Sequence, residues 1–194
     1  MQPFNRWSQE QAGATHRPEP WALWLILTVL LTGCSMGPPK GVNAVTSFDV
    51  SRYTGVWYEI ARLDHRFERG LTDIHATYQD GEEGSLTVIN RGFNPESNAW
   101  QEAVGRAFFL RDKTVGSLKV SFFGPFYGGY HVVALDQKDY RWSLVMGPDR
   151  DYFWILARDR HLSPALKDDL ISRARRFGIS EDQLIWTPQE RTDF

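Results

Sequence analysis

Apolar and polar side chains alternate in short runs from Val56 to Arg158, and each run breaks at a cluster of glycine, proline, asparagine or aspartate. Alternation with a period of two marks half-buried strands, and such clusters mark turns. The runs cover residues 56–63, 72–79, 85–93, 99–110, 117–123, 130–136, 140–146 and 152–158. The breaks at 80–84 and 94–98 suit tight hairpins. Residues 64–70 read as a longer polar loop, 111–116 and 147–150 as turns, and 124–129 as a loop too rich in glycine and proline for strand. After the eighth run the period changes, with Leu166, Leu170, Ile171, Ala174 and Phe177 at helical spacing. Ser163 and Pro164 supply the N-cap and first helical position, and Gly178 the stop. Residues 184–187 fit a short edge strand. The pattern predicts an all-β fold, an eight-stranded antiparallel up-and-down barrel with one C-terminal α-helix packed outside and a short final strand. A barrel of that size encloses one small ligand. A two-sheet sandwich uses the same alternation, but the near absence of long crossover connections places it second.

The stretch from Tyr53 to Arg62 anchors the register. Gly55 permits a tight turn, and Trp57 then points to one side of the strand. Strict alternation puts Trp57, Glu59 and Ala61 on one face, and Tyr58 and Ile60 on the other. On these ten residues alone, an edge strand with a core tryptophan serves equally well. The same parity groups Tyr78 with Ile74 and Ala76, Val88 with Asn90, Val120 with Phe122, and Trp154 with Leu156 and Arg158. Residues 99–110 carry apolar side chains on both faces and receive no assignment.

The charge balance is 22 basic against 24 acidic residues, a net charge of -2, which argues against a nucleic-acid partner. At the N-terminus, residues 21–31 form an apolar run of signal-peptide length, too short to cross a core of about 30 Å as a permanent helix. Leu31-Thr32-Gly33-Cys34 then sets small residues before the chain's one cysteine. This resembles a bacterial lipobox, in which the thiol is acylated and the chain cut before it. The preceding stretch is weakly basic, with Glu10 and Glu19 against Arg6 and Arg17. The expected organisation is a lipoprotein signal peptide at 1–33, a lipidated N-terminus and tether at 34–47, and the barrel domain at 48–194. Ser35 after Cys34, in place of an aspartate, points by the same resemblance to the outer membrane. Gly37-Pro38-Pro39 reads as part of a tether holding the domain off the lipid surface. The mature chain has no second cysteine, so the fold rests on packing.

Four blocks resemble the lipocalin family, and within it the bacterial lipocalins similar to apolipoprotein D: Tyr53 to Arg62, Asp64 to Gly70, Lys119 to Tyr130, and Gly147 to Arg158. The family's first signature corresponds to Gly55 and Trp57, its second to Leu135-Asp136 with Tyr140 beyond, and its third to Arg158. The second departs from the commoner Thr-Asp-Tyr wording. The resemblance implies that Arg158 lies across the Trp57 ring and closes the narrow end of the barrel. It also implies a hydrophobic ligand, a fatty acid or lysophospholipid, held by Tyr78, Asn90 and Trp154, with Tyr127 in a loop near the mouth. Parity adds Phe122 and Val88 to the same wall. Arg66, Arg69 and His65 read either as a solvated loop face or as groups that meet a phosphate or carboxylate at the open end.

The expectation is a lipid-anchored envelope lipocalin that binds, stores or transports lipids, facing the periplasm from the outer membrane and active in membrane maintenance under stress. It requires no cofactor, metal or catalytic residue, and the resemblance admits a homodimer. An enzymatic lipocalin of the kind that uses a pocket cysteine is disfavoured, because Cys34 lies outside the barrel. A haem-binding lipocalin needs an inward axial histidine, for which His75 and His131 are the strand candidates. The five histidines show no metal-ligand spacing.

Overall fold

The computed structural model describes residues 36–193. Cys34 and the expected signal peptide lie outside the described residues. A one-turn helix, α1 (Val50–Tyr53), leads into β1 (Gly55–Arg62). There follow β2 (Thr72–Asp80), β3 (Leu86–Asn94), β4 (Ala99–Phe109), β5 (Ser117–Phe123), β6 (Phe126–Leu135), β7 (Trp142–Met146) and β8 (Phe153–Ala157). Helix α2 (Pro164–Arg176) and β9 (Ile185–Trp186) complete the chain. Each strand pairs antiparallel with the next, and β1 pairs with both β2 and β8, so the sheet closes on itself. The expected eight-stranded barrel, outer helix and final edge strand are all present. β9 adds to the outside of β1 through Ala61 and Arg62.

Two apolar clusters flank the sheet. Inside lie Trp57, Tyr78, Leu86, Val88, Ala107, Leu118, Val145 and Leu156. Outside, Ile60, Ala61, Leu144, Ile155 and Ala157 pack against Leu170 and Ala174 of α2. Ser163 Oγ accepts the Leu166 amide at the N-cap and Pro164 opens the helix, as the sequence predicts.

Closure at the narrow end depends on Gly55. Its φ is +94°, and a side-chain carbon there would sit 3.3 Å from Arg158 Nη1. Gly55→Ala is expected to cost about 1–3 kcal/mol from backbone strain alone. A urea titration checks this: the midpoint falls while the slope is unchanged.

Four sequence expectations are corrected. Residues 124–129 are not a loop: β6 begins at Phe126, because Gly124 and Pro125 alone make the turn of a β5–β6 hairpin. The seventh strand begins at Trp142, since Tyr140 adopts φ 54° in the preceding turn, where its hydroxyl accepts the Asp49 amide. On β1, the pairing with β8 shifts between Glu59 and Ala61. The extra residue turns Ala61 to the outer cluster and Arg62 to the inside, so strict alternation fails beyond Glu59.

The fourth correction concerns residues 36–47, expected as a tether that holds the domain off the lipid surface. They form a strap docked on the barrel: Val42 is buried in the outer cluster, and the Val45 amide donates to the Val132 carbonyl at 2.8 Å. Gly116 N donates to Val45 O at 2.9 Å, and Phe48 N to Thr114 O at 2.8 Å. Three apolar side chains at even spacing, Val42, Val45 and Phe48, bury more than the glycine and prolines free.

Candidate functional site

The barrel interior is densely packed at one end. At the narrow end, Arg158 lies over the Trp57 ring at 3.9 Å, as the resemblance implies. Arg158 Nη1 donates to Val56 O at 2.7 Å, and Nη2 to the Arg52 and Thr54 carbonyls at 2.8 Å each. The guanidinium thereby ties β8 to the last turn of α1 and the start of β1. Trp57 Nε1 donates to Tyr53 O, also at 2.8 Å.

Above this floor stands a ladder of phenols. Tyr78 Oη donates to Tyr130 Oη at 2.8 Å, which is also 2.8 Å from Tyr53 Oη. Burial pushes Tyr53 up to about 12 and raises Tyr78 and Tyr130 well above the ordinary tyrosine value, so all three stay neutral at physiological pH. The three neutral rings, tilted against one another, pack this part of the interior.

Toward the mouth, several inward side chains are only partly buried, although Ile74 and Arg62 there are buried. Along β3, Leu86 and Val88 are buried, whereas Asn90, two residues nearer the mouth, is half-buried. Ala76, Val120, Phe122, Tyr130 and Trp154 are likewise half-buried while packing on the inner cluster. Residues 99–110, unassigned from sequence, resolve through their pairing. Ala103, Gly105 and Ala107 face Asn90, Val88 and Leu86, leaving a wall of small side chains. A side-chain carbon on Gly105 would sit 2.8 Å from the Phe122 ring, so glycine there makes room for an inward aromatic.

Five of the six expected wall residues, Tyr78, Val88, Asn90, Phe122 and Trp154, therefore share the inner face. Tyr127 does not join them. Its ring packs against Phe108 at 6.3 Å and under Lys119 Nζ at 4.7 Å on the outer face, and it borders a groove of about 450 Å³ between β4 and β5 that the inward Gly105 and Phe122 line together with Val104, Arg106 and Ser121. Once β6 begins at Phe126, alternation gives Tyr130 the inward position and Tyr127 the outward one.

One polar atom in the wall lacks a partner: Asn90 Oδ1 is buried without a hydrogen bond. A buried unsatisfied acceptor costs about 1–3 kcal/mol. A ligand hydroxyl or ammonium donor would remove that penalty.

The sequence reading missed a second polar cluster, which the β1 bulge creates. Arg62 is buried and donates to Glu59 Oε1 at 2.8 Å, to Thr187 Oγ1 at 3.1 Å and to the Glu68 carbonyl at 2.8 Å. Gln189 Nε2 donates to the carbonyls of Glu59 and Ile74 at 2.8 and 2.7 Å, bridging the gap where β1 leaves β2. Glu68 Oε2 accepts Trp154 Nε1 at 3.0 Å and lies 3.0 Å from His65 Nε2. Burial and the charge of Glu68 push the Glu59 carboxyl well above the usual carboxylate range, against the pull of Arg62. Burial also acts to raise Glu68, but hydrogen bonds with His65, Trp154 and Glu59 outweigh it and hold that carboxyl below its ordinary value. The proton of the pair rests on Glu59 and the charge on Glu68. His65 is thus buried against Trp154 rather than a solvated loop group, while Arg69 stays exposed and pairs with Asp64 at 2.7 Å.

The two strand histidines needed for an axial haem ligand face outward. His75 packs against Tyr58 and Trp100, and His131 bonds Ser117 Oγ beneath the strap. Among the described residues, no group of three or more His, Cys, Asp or Glu is placed to hold a metal ion.

Comparison with known proteins agrees with this geometry. A family model described as "Lipocalin-like domain" matches residues 48–189. The chain is 52% identical over 161 residues to "Outer membrane lipoprotein Blc" of Citrobacter freundii, covering 82% of this chain and 90% of that protein. It is 30% identical over 182 residues to apolipoprotein D of Macaca fascicularis, covering 87% and 95%. In fold it resembles insecticyanin from the tobacco hornworm Manduca sexta, with a TM-score of 0.64 at 21% identity, covering 81% of this chain and 88% of that one.

Proposed function

The chain belongs to the lipocalin family, and from that premise we propose that it is an outer-membrane lipoprotein that holds a single-chain lipid, a fatty acid or lysophospholipid, in its barrel. The observation that carries this reading is the interior wall: aromatic and aliphatic side chains, sealed at the Arg158 end and half-buried at Asn90, Phe122, Tyr130 and Trp154, with one unpartnered acceptor at Asn90 Oδ1. A sixteen-carbon chain fully desolvated gains on the order of 13 kcal/mol. Ordering and association costs remove much of this, leaving micromolar to nanomolar affinity.

Tyr78, Val88, Phe122 and Trp154 line the acyl chain, and Asn90 meets a donor nearer the headgroup. Tyr127 points to the outer face and meets the wall only through the groove it shares with Phe122. Cys34 carries the acyl anchor, in keeping with the name of the 52% identical relative from Citrobacter freundii. The protein acts as a binder, supplying lipid for envelope maintenance, with no step of covalent chemistry.

Tryptophan-fluorescence titration and native mass spectrometry of the membrane-purified protein test the proposal. Saturable quenching and a bound mass are expected with oleate or lysophosphatidylethanolamine, and no saturation with either overturns it. Asn90→Leu is expected to raise the stability of the empty protein while weakening the lysophospholipid about tenfold, and oleate less, since one hydrogen bond is lost.

A further inference from the structure

The strap and the rim of the barrel together fix how this protein stands on a membrane. In an up-and-down barrel, alternate connections share an end. The β1–β2, β3–β4, β5–β6 and β7–β8 connections surround the mouth, while α1 and the Arg158 floor lie at the opposite end. Three phenylalanines at the mouth are open to solvent: Phe67 at 61%, Phe123 at 75% and Phe126 at 78%. Strand order puts the β1–β2 connection, bearing Phe67, across the mouth from the β5–β6 tip, bearing Phe123 and Phe126. The Arg66 guanidinium lies 5.2 Å from the Phe67 ring, and Lys119 covers Tyr127 below the other tip. Aromatic rings beside long basic side chains match the interfacial zone of a bilayer, apolar below and anionic above. The other two connections are polar, carrying Glu96 on one and Asp149 and Asp151 on the other. The footprint is therefore two aromatic points, which orient the barrel while another element holds it.

The strap supplies the second, independent observation. Its first described residue, Met36, lies at the mouth: a side-chain carbon on Gly129 would sit 3.0 Å from the Met36 carbonyl oxygen and 3.4 Å from Pro148 of the β7–β8 connection. From there the strap runs down the outside, through Val42 and Val45, to Phe48 beside the β4–β5 turn at the floor. Cys34 precedes Met36 by two residues, a span of at most about 7 Å.

We propose that the barrel stands mouth-down on the bilayer, with Phe67 and the Phe123–Phe126 tip dipping into the lipid headgroup zone on either side of the opening. This rests on the acylation of Cys34 stated above and goes beyond it, because an anchor alone sets no orientation. A lipid then passes between leaflet and barrel without crossing water.

The test uses the full chain, expressed and processed in bacteria and purified from membranes, in vesicles of phosphatidylethanolamine and phosphatidylglycerol. Acylated Cys34 does not react with thiol labels, so F126C at the mouth and K113C in the β4–β5 turn each carry one bimane. With brominated acyl chains in the vesicles, the F126C probe is expected to be quenched several-fold more than the K113C probe, since a dipping tip reaches about 5–10 Å into the interface. Flotation of the same sample separates the two readings. Protein that does not float overturns the anchor and this orientation with it. Protein that floats with equal quenching, or stronger quenching at K113C, overturns the orientation alone. An F126C probe shielded from both brominated lipid and aqueous iodide shows a second copy on the tip, which also overturns it.

Discussion

Arg62→Met is expected to destabilise the fold by about 3–5 kcal/mol, the range for removing one partner of a buried ionic cluster. The lost guanidinium holds Glu59, Thr187 and the Glu68 carbonyl, so β1, the first connection and the C-terminal segment lose a common partner. Urea unfolding followed by tryptophan fluorescence reads the loss. Glu59→Gln is expected to behave in the opposite way, because Gln keeps an acceptor for Arg62 and copies the protonated carboxyl. The sign follows from linkage. Folded Glu59 keeps its proton above the pH at which the unfolded residue loses it, about 4.3. The stability it contributes is full below that value and falls as pH rises toward the folded pKa, by up to about 1.4 kcal/mol per pH unit. The variant lacks this decline and gains on the parent protein from pH 5 upward. Glu68, held below its ordinary value, contributes stability above the unfolded pKa and loses it as pH falls through the folded one. Glu59→Gln therefore retains the acid-side loss and removes the alkaline-side one. Parallel profiles between pH 4 and 8 would contradict the placing of the proton.

Arg158→Met is expected to cost about 3 kcal/mol: a cation–π contact of about 0.5–2, plus charge-assisted hydrogen bonds that water partly replaces on the exposed side. The coupling to Trp57 is separable by a double-mutant cycle with Trp57→Phe, which keeps a ring but shrinks the face. An interaction energy of about 0.5–2 kcal/mol is expected. The effect on lipid affinity should be small, because Arg158 closes the floor and the wall residues stand above it. A variant that folds as well as the parent yet loses ligand would assign Arg158 to the pocket instead.

The legible and illegible parts of this fold differ for physical reasons. On β3 and β8 the side-chain period stays regular past the residues in question, so parity grouped Val88 with Asn90 and Trp154 with Leu156; on β5 the pairing with β6 shifts between Val120 and Phe123, yet Phe122 still packs on the inner cluster with Val120. On β1 a single inserted residue reversed the faces, and nothing in Glu59-Ile60-Ala61-Arg62 marks it. A cue was nonetheless present: Glu59 and Arg62, three apart, point to opposite faces of a regular strand, and their meeting requires a bulge. Thr187 and Gln189 were illegible because they act across more than 120 residues of sequence. Tyr127 was misplaced because glycine and proline at 124–129 read as loop, although a hairpin tip needs only two such residues. Asn90 shows the limit of pattern reading from another side. Its inward face follows from alternation, but the lack of a partner for Oδ1 emerges only when every neighbouring donor has its place.

The docked strap has a consequence for how far this protein works. With the acyl anchor proposed at Cys34, a free linker of a dozen residues would let the barrel roam through a volume and meet partners away from the membrane. With the strap hydrogen-bonded along the wall, the leash would shrink to the step from Cys34 to Met36, with Ser35 alone between them, and the search would collapse from a volume to a plane. A receptacle held as proposed would serve its own leaflet by lateral diffusion, and lipid bound for another membrane would have to change hands.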